Sequence, residues 1–499
     1  MWALDALDDD KSKDGDVYLG IDLGTSAVKV CCVADTGDVV ETVSIALTTS
    51  QPFLGASEQD CNAWWLATCQ AVRKLDTRHR DHVKAIGLSG QMHGAVLLNK
   101  AKQPIRPAIL WNDARATAEC DALVAAVPDV GEVTGVYPMA GFTAPKLLWL
   151  ARHTPERHAE IAHVLLPKDY IGFRLHGNLV TDPSDAAGTS WMDQRTRTWS
   201  LPICNASATD PACLPRILYG NEIAGELCAT AASDLGLPPE TPIVAGAGDA
   251  AAGAVGIGAI ENGDGFLSLG TSGQMFVTTN AYRPNVDSRI HAYAHTLPDI
   301  WFQMAAMLNG ARPIAWLANL LDRPIDALLA EADTATDSPI FLPYLTGERT
   351  PHGDSDIRAG FFGLSETTTH GALMRSVIEA IAFSFADASD ALQAAGTTTD
   401  RLLAIGGGTR SSLLMQTISN VLGCDIGRSD GADVGPALGA ARLAMLAHCK
   451  SDTASIVTKP PVGTWFTPQS EHAGAMAEKL AVYRALYPAV KAAQAAKPA

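Results

Sequence analysis

Cysteine pairs of the C-x-x-C kind are missing from this chain. Its ten cysteines are scattered, and the two that adjoin, Cys31 and Cys32, sit in an apolar run that reads as a strand. No structural zinc site is spelled out, and disulfide frameworks belong to small secreted chains, so buried thiols in a reducing compartment are expected. Positive charge is scarce as well. Lys plus Arg total 37 against 54 Asp plus Glu, for a net charge of −17. A nucleic-acid partner needs a concentrated basic face, and this balance argues against one. The first sixteen residues, Met1–Asp16, are acidic and lack the basic-then-apolar order of a signal peptide, so they read as a loose leader. A long lipid-facing run is missing too. Thr241–Ile260 carries one charged residue, Asp249, but is mostly Gly and Ala. Such small residues do not favour lipid, and the stretch reads as a buried strand running into a tightly packed helix. A soluble, cytoplasmic protein is expected.

What is present is bulk and punctuation. With 499 residues and 47% apolar composition, the chain is long enough for more than one domain and rich enough for large cores. Val17–Asp22 reads as a strand, ends in the turn Leu23-Gly24-Thr25-Ser26, and is followed by strand-like Ala27–Ala34 and Val39–Leu47. A helix is expected around Gln59–Leu75 and a further strand over Val83–Leu88. The second half restarts the pattern: Gly263–Leu269 leads through Gly270-Thr271-Ser272 into apolar Gln274–Val277. The tetrapeptide Leu23–Ser26 thus recurs as Leu269–Ser272, each copy between two strand-like runs. Two related α/β lobes are expected, residues 17–240 and 241–499, with the division where Pro238 and Pro239 interrupt the chain.

The repeated turn points to phosphate. Glycine in a tight turn lets backbone approach a ligand, and Thr and Ser hydroxyls donate to phosphate oxygens. One Gly-Thr-Ser corner is weak evidence; Gly24, Thr25 and Ser26 together with Gly270, Thr271 and Ser272 make a plausible clamp on a nucleotide triphosphate. Asp22 stands before the first copy, where a carboxylate suits Mg²⁺, or simply caps its own turn. Near the C-terminus, Arg401–Ile405 reads as a strand, Gly406–Thr409 as a turn and Ser411–Leu422 as a helix, an arrangement that seats a nucleotide at Gly407 and Gly408. A dinucleotide site ranks below ATP, because the G-x-G-x-x-G spacing is absent and Asp425 precedes the next strand.

Asp249, alone in an apolar stretch, needs a partner or a task. A kinase acting on an alcohol needs such a carboxylate to take the hydroxyl proton, while helix N-capping is the structural alternative. Ser89–Gly94, with Gln91, Met92 and His93, follows a strand and suits a small polyhydroxylated ligand. Trp111, Asn112 and Asp113 form a second polar cluster, where Trp offers a sugar face; a turn capped by Asn and Asp explains it as well.

These motifs together resemble the FGGY carbohydrate kinases. The resemblance spans nearly the whole chain and rests on Ile21–Ser26, Gly90–Gly94, Leu110–Asp113, Gly141–Trp149, Gly248-Asp249, Ser268–Ser272, Phe361–Leu364, Ile405–Gly408 and Asp433–Ala441. It implies two ribonuclease-H-like lobes of the actin/hexokinase type, with sugar and ATP meeting in the cleft. It assigns Asp249 as catalytic base and Asp22 as the acid associated with Mg²⁺. It places Met92 and His93 against the ketopentose, and Gly407 and Gly408 beside the adenosine. The implied reaction is phosphorylation of D-xylulose at O5. Members acting on D-xylulose usually follow the base with Asn; here the residue is Ala250. A second departure, Ala372, lies away from the inferred chemistry. The alternatives are a family kinase for another ketose or a polyol such as ribulose, and an actin- or chaperone-like ATPase switch that ignores sugar. The expected partners are sugar and ATP, with neither nucleic acid nor membrane, and a homodimer is compatible with the sequence.

Overall fold

The computed structural model describes residues 15–429 and 435–496. Most of the expected leader, residues 1–14, and Asp433 and Val434 of the last motif lie outside the described residues. The first sheet contains β1 (Val17–Leu23), β2 (Ala27–Ala34), β3 (Val39–Ala46), β4 (Val83–Gly90), β5 (Ile223–Glu226), β6 (Pro242–Val244) and β7 (Ala247–Gly248). Its order is β5-β6-β4-β1-β2-β3, with β7 paired to the end of β4. The second contains β8 (Gly265–Leu269), β9 (Gly273–Thr279), β10 (His291–Ala294), β11 (Trp301–Met307), β12 (Arg401–Ile405), β13 (Asp425–Ser429) and β14 (Val462–Phe466), in the order β10-β11-β9-β8-β12-β13-β14. In each, three strands are antiparallel, successive in the first sheet and with β10 intervening in the second, and a later strand joins the first in parallel: β3-β2-β1-β4 and β11-β9-β8-β12. This is the expected duplicated α/β architecture of the ribonuclease-H-like, actin/hexokinase type. The two Leu-Gly-Thr-Ser turns occupy matching corners.

Eight helices position the chemistry: α1 (Cys61–Lys74), α2 (Thr143–His153), α3 (Pro167–His176), α4 (Pro183–Ala187), α5 (Asp249–Gly256), α6 (His370–Ala394), α7 (Ser412–Leu422) and α8 (Gly435–Cys449). Strand alternation decides what each face meets. Leu19, Ile21 and Leu23 pack with Trp64 and Trp65 of α1, while Tyr18 belongs to the cluster on the opposite face. Cys31 and Cys32 likewise enter different clusters, so these neighbours do not pair.

The opposite face is covered by a helix from the far end of the chain. A Cβ on Gly20 would stand 2.8 Å from the Ala441 nitrogen, and one on Gly87 would stand 2.5 Å from the Ala440 carbonyl carbon. Helix α8 therefore lies directly on β1 and β4. Its other side crosses α5, where a Cβ on Gly439 would come within 2.7 Å of the Ala252 carbonyl carbon. One apolar cluster consequently runs from Tyr18 and Ala85, through α5 and α8, to Phe266, Phe276 and Phe302 of the second sheet.

The expected division between residues 240 and 241 cuts the first sheet. β6 closes against β5 and pairs in parallel with β4 through Ile243 and Ile86, and β7 continues along β4. We place the division after α5 instead. Asp425, expected just before a strand, is the first residue of β13. Thr241–Ile260 divides into β6, β7 and α5, and among the described residues no helix is long and apolar enough to cross a membrane.

Candidate active site

The first phosphate turn is held from beneath. The Gln59 amide donates to the Thr25 carbonyl at 2.7 Å, and the Gln91 backbone N–H donates to Leu23 at 2.8 Å. The Thr25 hydroxyl donates to Gln91 Oε1 at 2.8 Å and accepts from the Trp111 indole at 3.0 Å. Gln91 is buried, and its amide also donates to Gln59. Two residues expected at the sugar, Gln91 and Trp111, are thus bonded to the phosphate turn. Asn112 is exposed beside Trp111, and Asp113 is spent on an ion pair with Arg115. Neither Gly24 nor Gly270 has a positive φ, so turn conformation does not demand glycine at these corners. What both provide is bare backbone beside exposed Ser26, Thr271 and Ser272.

The second turn is braced differently. Ala311 donates to the Gly270 carbonyl at 2.7 Å, and Gly310 donates to Thr271 at 3.1 Å. Leu269 also supports the third turn: a Cβ on Gly406 or Gly408 would stand 3.0 or 2.9 Å from atoms of Leu269. Gly407, by contrast, has nothing within 4 Å of its Cβ position, which leaves it the open face of that turn. A cavity of about 900 Å³ adjoins the residues that follow this turn, lined by Arg410, Ser411 and Ser412 together with Asp326 and Leu329. The structure therefore brings Gly270–Ser272 and Gly407–Gly408 together. No hydrogen bond links Gly24–Ser26 to Gly270–Ser272 among the described residues.

Asp22 sits near the end of β1, with Lys29 and Ser89 on the adjoining strands. Burial lifts its pKa to about 6, against the opposing pull of nearby Lys29 and Ser89. Its Oδ1 is buried without a hydrogen-bond partner. An orphaned carboxylate oxygen at a phosphate turn fits a divalent cation that keeps much of its water, although no cluster of three ligands exists among the described residues. Ser268 holds the matching position in the second lobe, so that corner has no such acid.

Asp249 is not the cap of its helix. Gly248 is the N-cap, and Asp249 is the first residue of α5, with Oδ1 accepting from Ala250 at 2.8 Å. The residue keeps access to solvent, but its carboxyl is walled by protein. Its pKa is pushed up to about 7, chiefly by desolvation and then by Asp22. The two predicted acids are therefore close enough to feel each other. Gly248 is pinned where it stands: its N–H donates to Ser184 Oγ, which in turn donates to Asp182. Asp182, Asp169 and Asp185 surround a fully buried Lys168 at 3.0, 2.5 and 3.5 Å. Burial raises Asp185 well above the usual carboxylate range, which favours its acid form.

Met92 and His93 wedge into this arrangement. A Cβ on Gly248 would stand 2.9 Å from Met92 Cγ, and one on Gly188 would stand 2.5 Å from His93 Nδ1. The glycines therefore make room for Met92 and His93. His93 has a φ of 68, a strained conformation for a non-glycine residue, fixed by its neighbours. Its carbonyl accepts from Lys146 Nζ at 2.9 Å and Thr143 at 3.1 Å, and its Nδ1 donates to the Gly188 carbonyl at 2.6 Å. Burial holds the imidazole down to about 3, so it is neutral and Nε2 is an acceptor. Lys146 also donates to Ile109, which steadies the strand before Trp111. Sequence reasoning did not single out Lys146, Gln59 or the Lys168 cluster as functional. Lys146 stands inside the Gly141–Trp149 motif, and a lysine in so apolar a run is the signal that marks it.

Two family models match the chain. Residues 17–256 match the N-terminal domain of the FGGY family of carbohydrate kinases, and residues 265–448 match its C-terminal domain. The xylulose kinase of Escherichia coli strain K12 is 41% identical over 477 residues, covering 94% of this chain and 98% of that protein. Among solved structures, a "xyloylose kinase" from Brucella ovis superposes with a TM-score of 0.92 at 39% identity, covering 95% of this chain and 99% of the other. A gluconate kinase from Lactobacillus acidophilus reaches 0.90 at 26% identity, covering 95% and 98%.

Proposed function

Because the chain belongs to the FGGY family of carbohydrate kinases, we propose that it transfers the γ-phosphoryl group of ATP to O5 of D-xylulose, giving D-xylulose 5-phosphate. The observation that carries this reading is the packing of Met92 against Gly248, the residue before Asp249, and of the neutral His93 imidazole against Gly188. His93 Nε2 accepts a hydrogen bond from a sugar hydroxyl and orients the sugar so that O5 faces Asp249. Asp249, poised near neutrality, takes the O5 proton as the phosphoryl group moves. ATP lies with adenosine along Gly407 and Gly408 and its phosphates between the two Gly-Thr-Ser corners, whose N–H groups offset the developing charge. Asp22 is the residue to hold Mg²⁺, which when bound neutralises phosphate charge.

The fold alone does not choose the sugar, since a gluconate kinase shares it. The 41% identity with a xylulose kinase favours D-xylulose over ribulose or a polyol. An ATPase switch indifferent to sugar is not favoured by a site built around Met92 and His93. A cytoplasmic setting, where ATP is available, fits the reading. The test is a coupled ADP-release assay across D-xylulose, ribulose and simple polyols. D-Xylulose is expected to give the highest kcat/KM. The Asp249→Ala variant is expected to keep ATP binding and lose turnover by about a thousandfold or more. Near-normal turnover in that variant overturns the assignment of the base.

A further inference from the structure

Beyond the His93 ring, three polar groups meet with nothing to bond. His93 lies flat on Phe142, with centroids 4.3 Å apart. Phe142 reaches His291 at 6.3 Å, and His291 meets Tyr293 edge-on at 5.5 Å. This ring wall leads from the sugar motif of the first lobe to β10 of the second. His291 and Tyr293 are buried, yet His291 Nδ1 and the Tyr293 hydroxyl have no hydrogen-bond partner. Polar groups left so are costly unless something completes them.

The third group is Arg349. Its backbone is rigidly mounted at the end of β11. The Glu348 carboxylate accepts from Leu308 N–H at 2.6 Å and Arg349 N–H at 2.8 Å, while Thr350 Oγ1 accepts from Ala306 N–H at 3.1 Å. The guanidinium itself makes neither an ion pair nor a side-chain hydrogen bond among the described residues. Its charge is felt by all three rings: it adds to burial in holding His93 and His291 down, and opposes burial at Tyr293. A half-buried arginine with its fork uncommitted is a donor awaiting an acceptor.

We propose that Arg349, backed by His291 and Tyr293, binds the keto end of the sugar, donating to the C2 carbonyl oxygen while O5 lies at Asp249. The inference rests on the reading of this site as a ketopentose kinase. Its chemistry is that of complementarity: a carbonyl oxygen only accepts, and a guanidinium only donates. A polyol places a hydroxyl there, whose own proton needs an acceptor that Arg349 does not supply. Arg349 thus selects ketose over polyol, and because it belongs to the second lobe, it also ties sugar binding to lobe approach.

Arg349→Met keeps length and removes the donors. Steady-state kinetics with D-xylulose and with D-arabitol test the idea. The variant is expected to raise the KM for D-xylulose by about tenfold or more, leave the KM for ATP within about twofold, and change D-arabitol kinetics much less. An unchanged D-xylulose KM, or an equal loss with both sugars, overturns the proposal. Wild-type enzyme that is silent to D-xylulose overturns the underlying reading, and this proposal with it. Should Arg349→Met fail to fold, Tyr293→Phe deletes one hydroxyl. It is expected to raise the D-xylulose KM several-fold, and no change there counts against the proposal.

Discussion

Adding one methyl group at Gly439 is expected to cost the protein far more than adding one at Gly253. Both glycines lie where α5 and α8 cross. At Gly439 the new carbon would stand 2.7 Å from the Ala252 carbonyl carbon and 3.0 Å from the Gly256 nitrogen, overlapping the Ala252 oxygen. Ordinary contact needs about 3.5 Å or more, so the helices must part by roughly an ångström or more. Helix α8 has no room to retreat, because Gly20 and Gly87 already press its other side. Overpacking of this kind costs about 3 kcal/mol, and the better helix propensity of alanine returns about 1 kcal/mol. Gly439→Ala should therefore lose about 2 kcal/mol. Gly253, in the middle of α5, has nothing within 4 Å of its Cβ position, so Gly253→Ala should gain up to about 1 kcal/mol from propensity alone. Urea unfolding followed by tryptophan fluorescence separates the two, with the midpoint falling for Gly439→Ala and rising for Gly253→Ala. A Gly439→Ala protein as stable as the wild type, or equal losses in both variants, would refute the reasoning.

Below pH 7, kcat/KM is expected to fall about tenfold per pH unit, because burial and then Asp22 push Asp249 up to about 7 and only its carboxylate accepts a proton. The fall is steeper below about pH 6, where Asp22 also takes up its proton. His93, held near 3, adds no further limb; a flat profile from pH 5 to 8 contradicts this. Lys146→Met strips the His93 and Ile109 carbonyls of their shared donor. It should cost about 2 kcal/mol of stability and raise the sugar KM more than it lowers kcat, as measured by thermal unfolding and steady-state kinetics. Ala250→Asn is expected to lower the D-xylulose KM without changing that for ATP, since it adds an amide beside the base; an unchanged sugar KM argues that Ala250 lies out of reach.

Local punctuation made much of this legible. The strands β1 to β4 and, in the second half, β8, β9 and β12 follow from apolar runs between turn residues, and the repeated tetrapeptide marks matching corners; β11 has no such mark. The structure brings Asp22 and Asp249 within electrostatic reach, Met92 against Gly248 and His93 against Gly188. Legibility ended where partners come from distant chain. Gln91 and Trp111 look like sugar ligands until Thr25 is seen to hold both. Pro238 and Pro239 look like a lobe boundary, but pairing with β4 is set by Ile243, beyond them. The Ala-rich run of α8 gives no hint that its seat is Gly20 and Gly87.

That seat has a consequence for how the molecule can be divided. Although α8 lies in sequence between β13 and β14 of the second sheet, it roofs the first sheet, so neither half is autonomous. A fragment ending after α5 would leave the grooves at Gly20 and Gly87 bare, and the remainder would carry an apolar helix with nothing to cover. Splitting the gene at the visible seam, or swapping one half with a relative's, severs a fitted joint; an exchange that preserves it has to carry α8 along with β1 and β4.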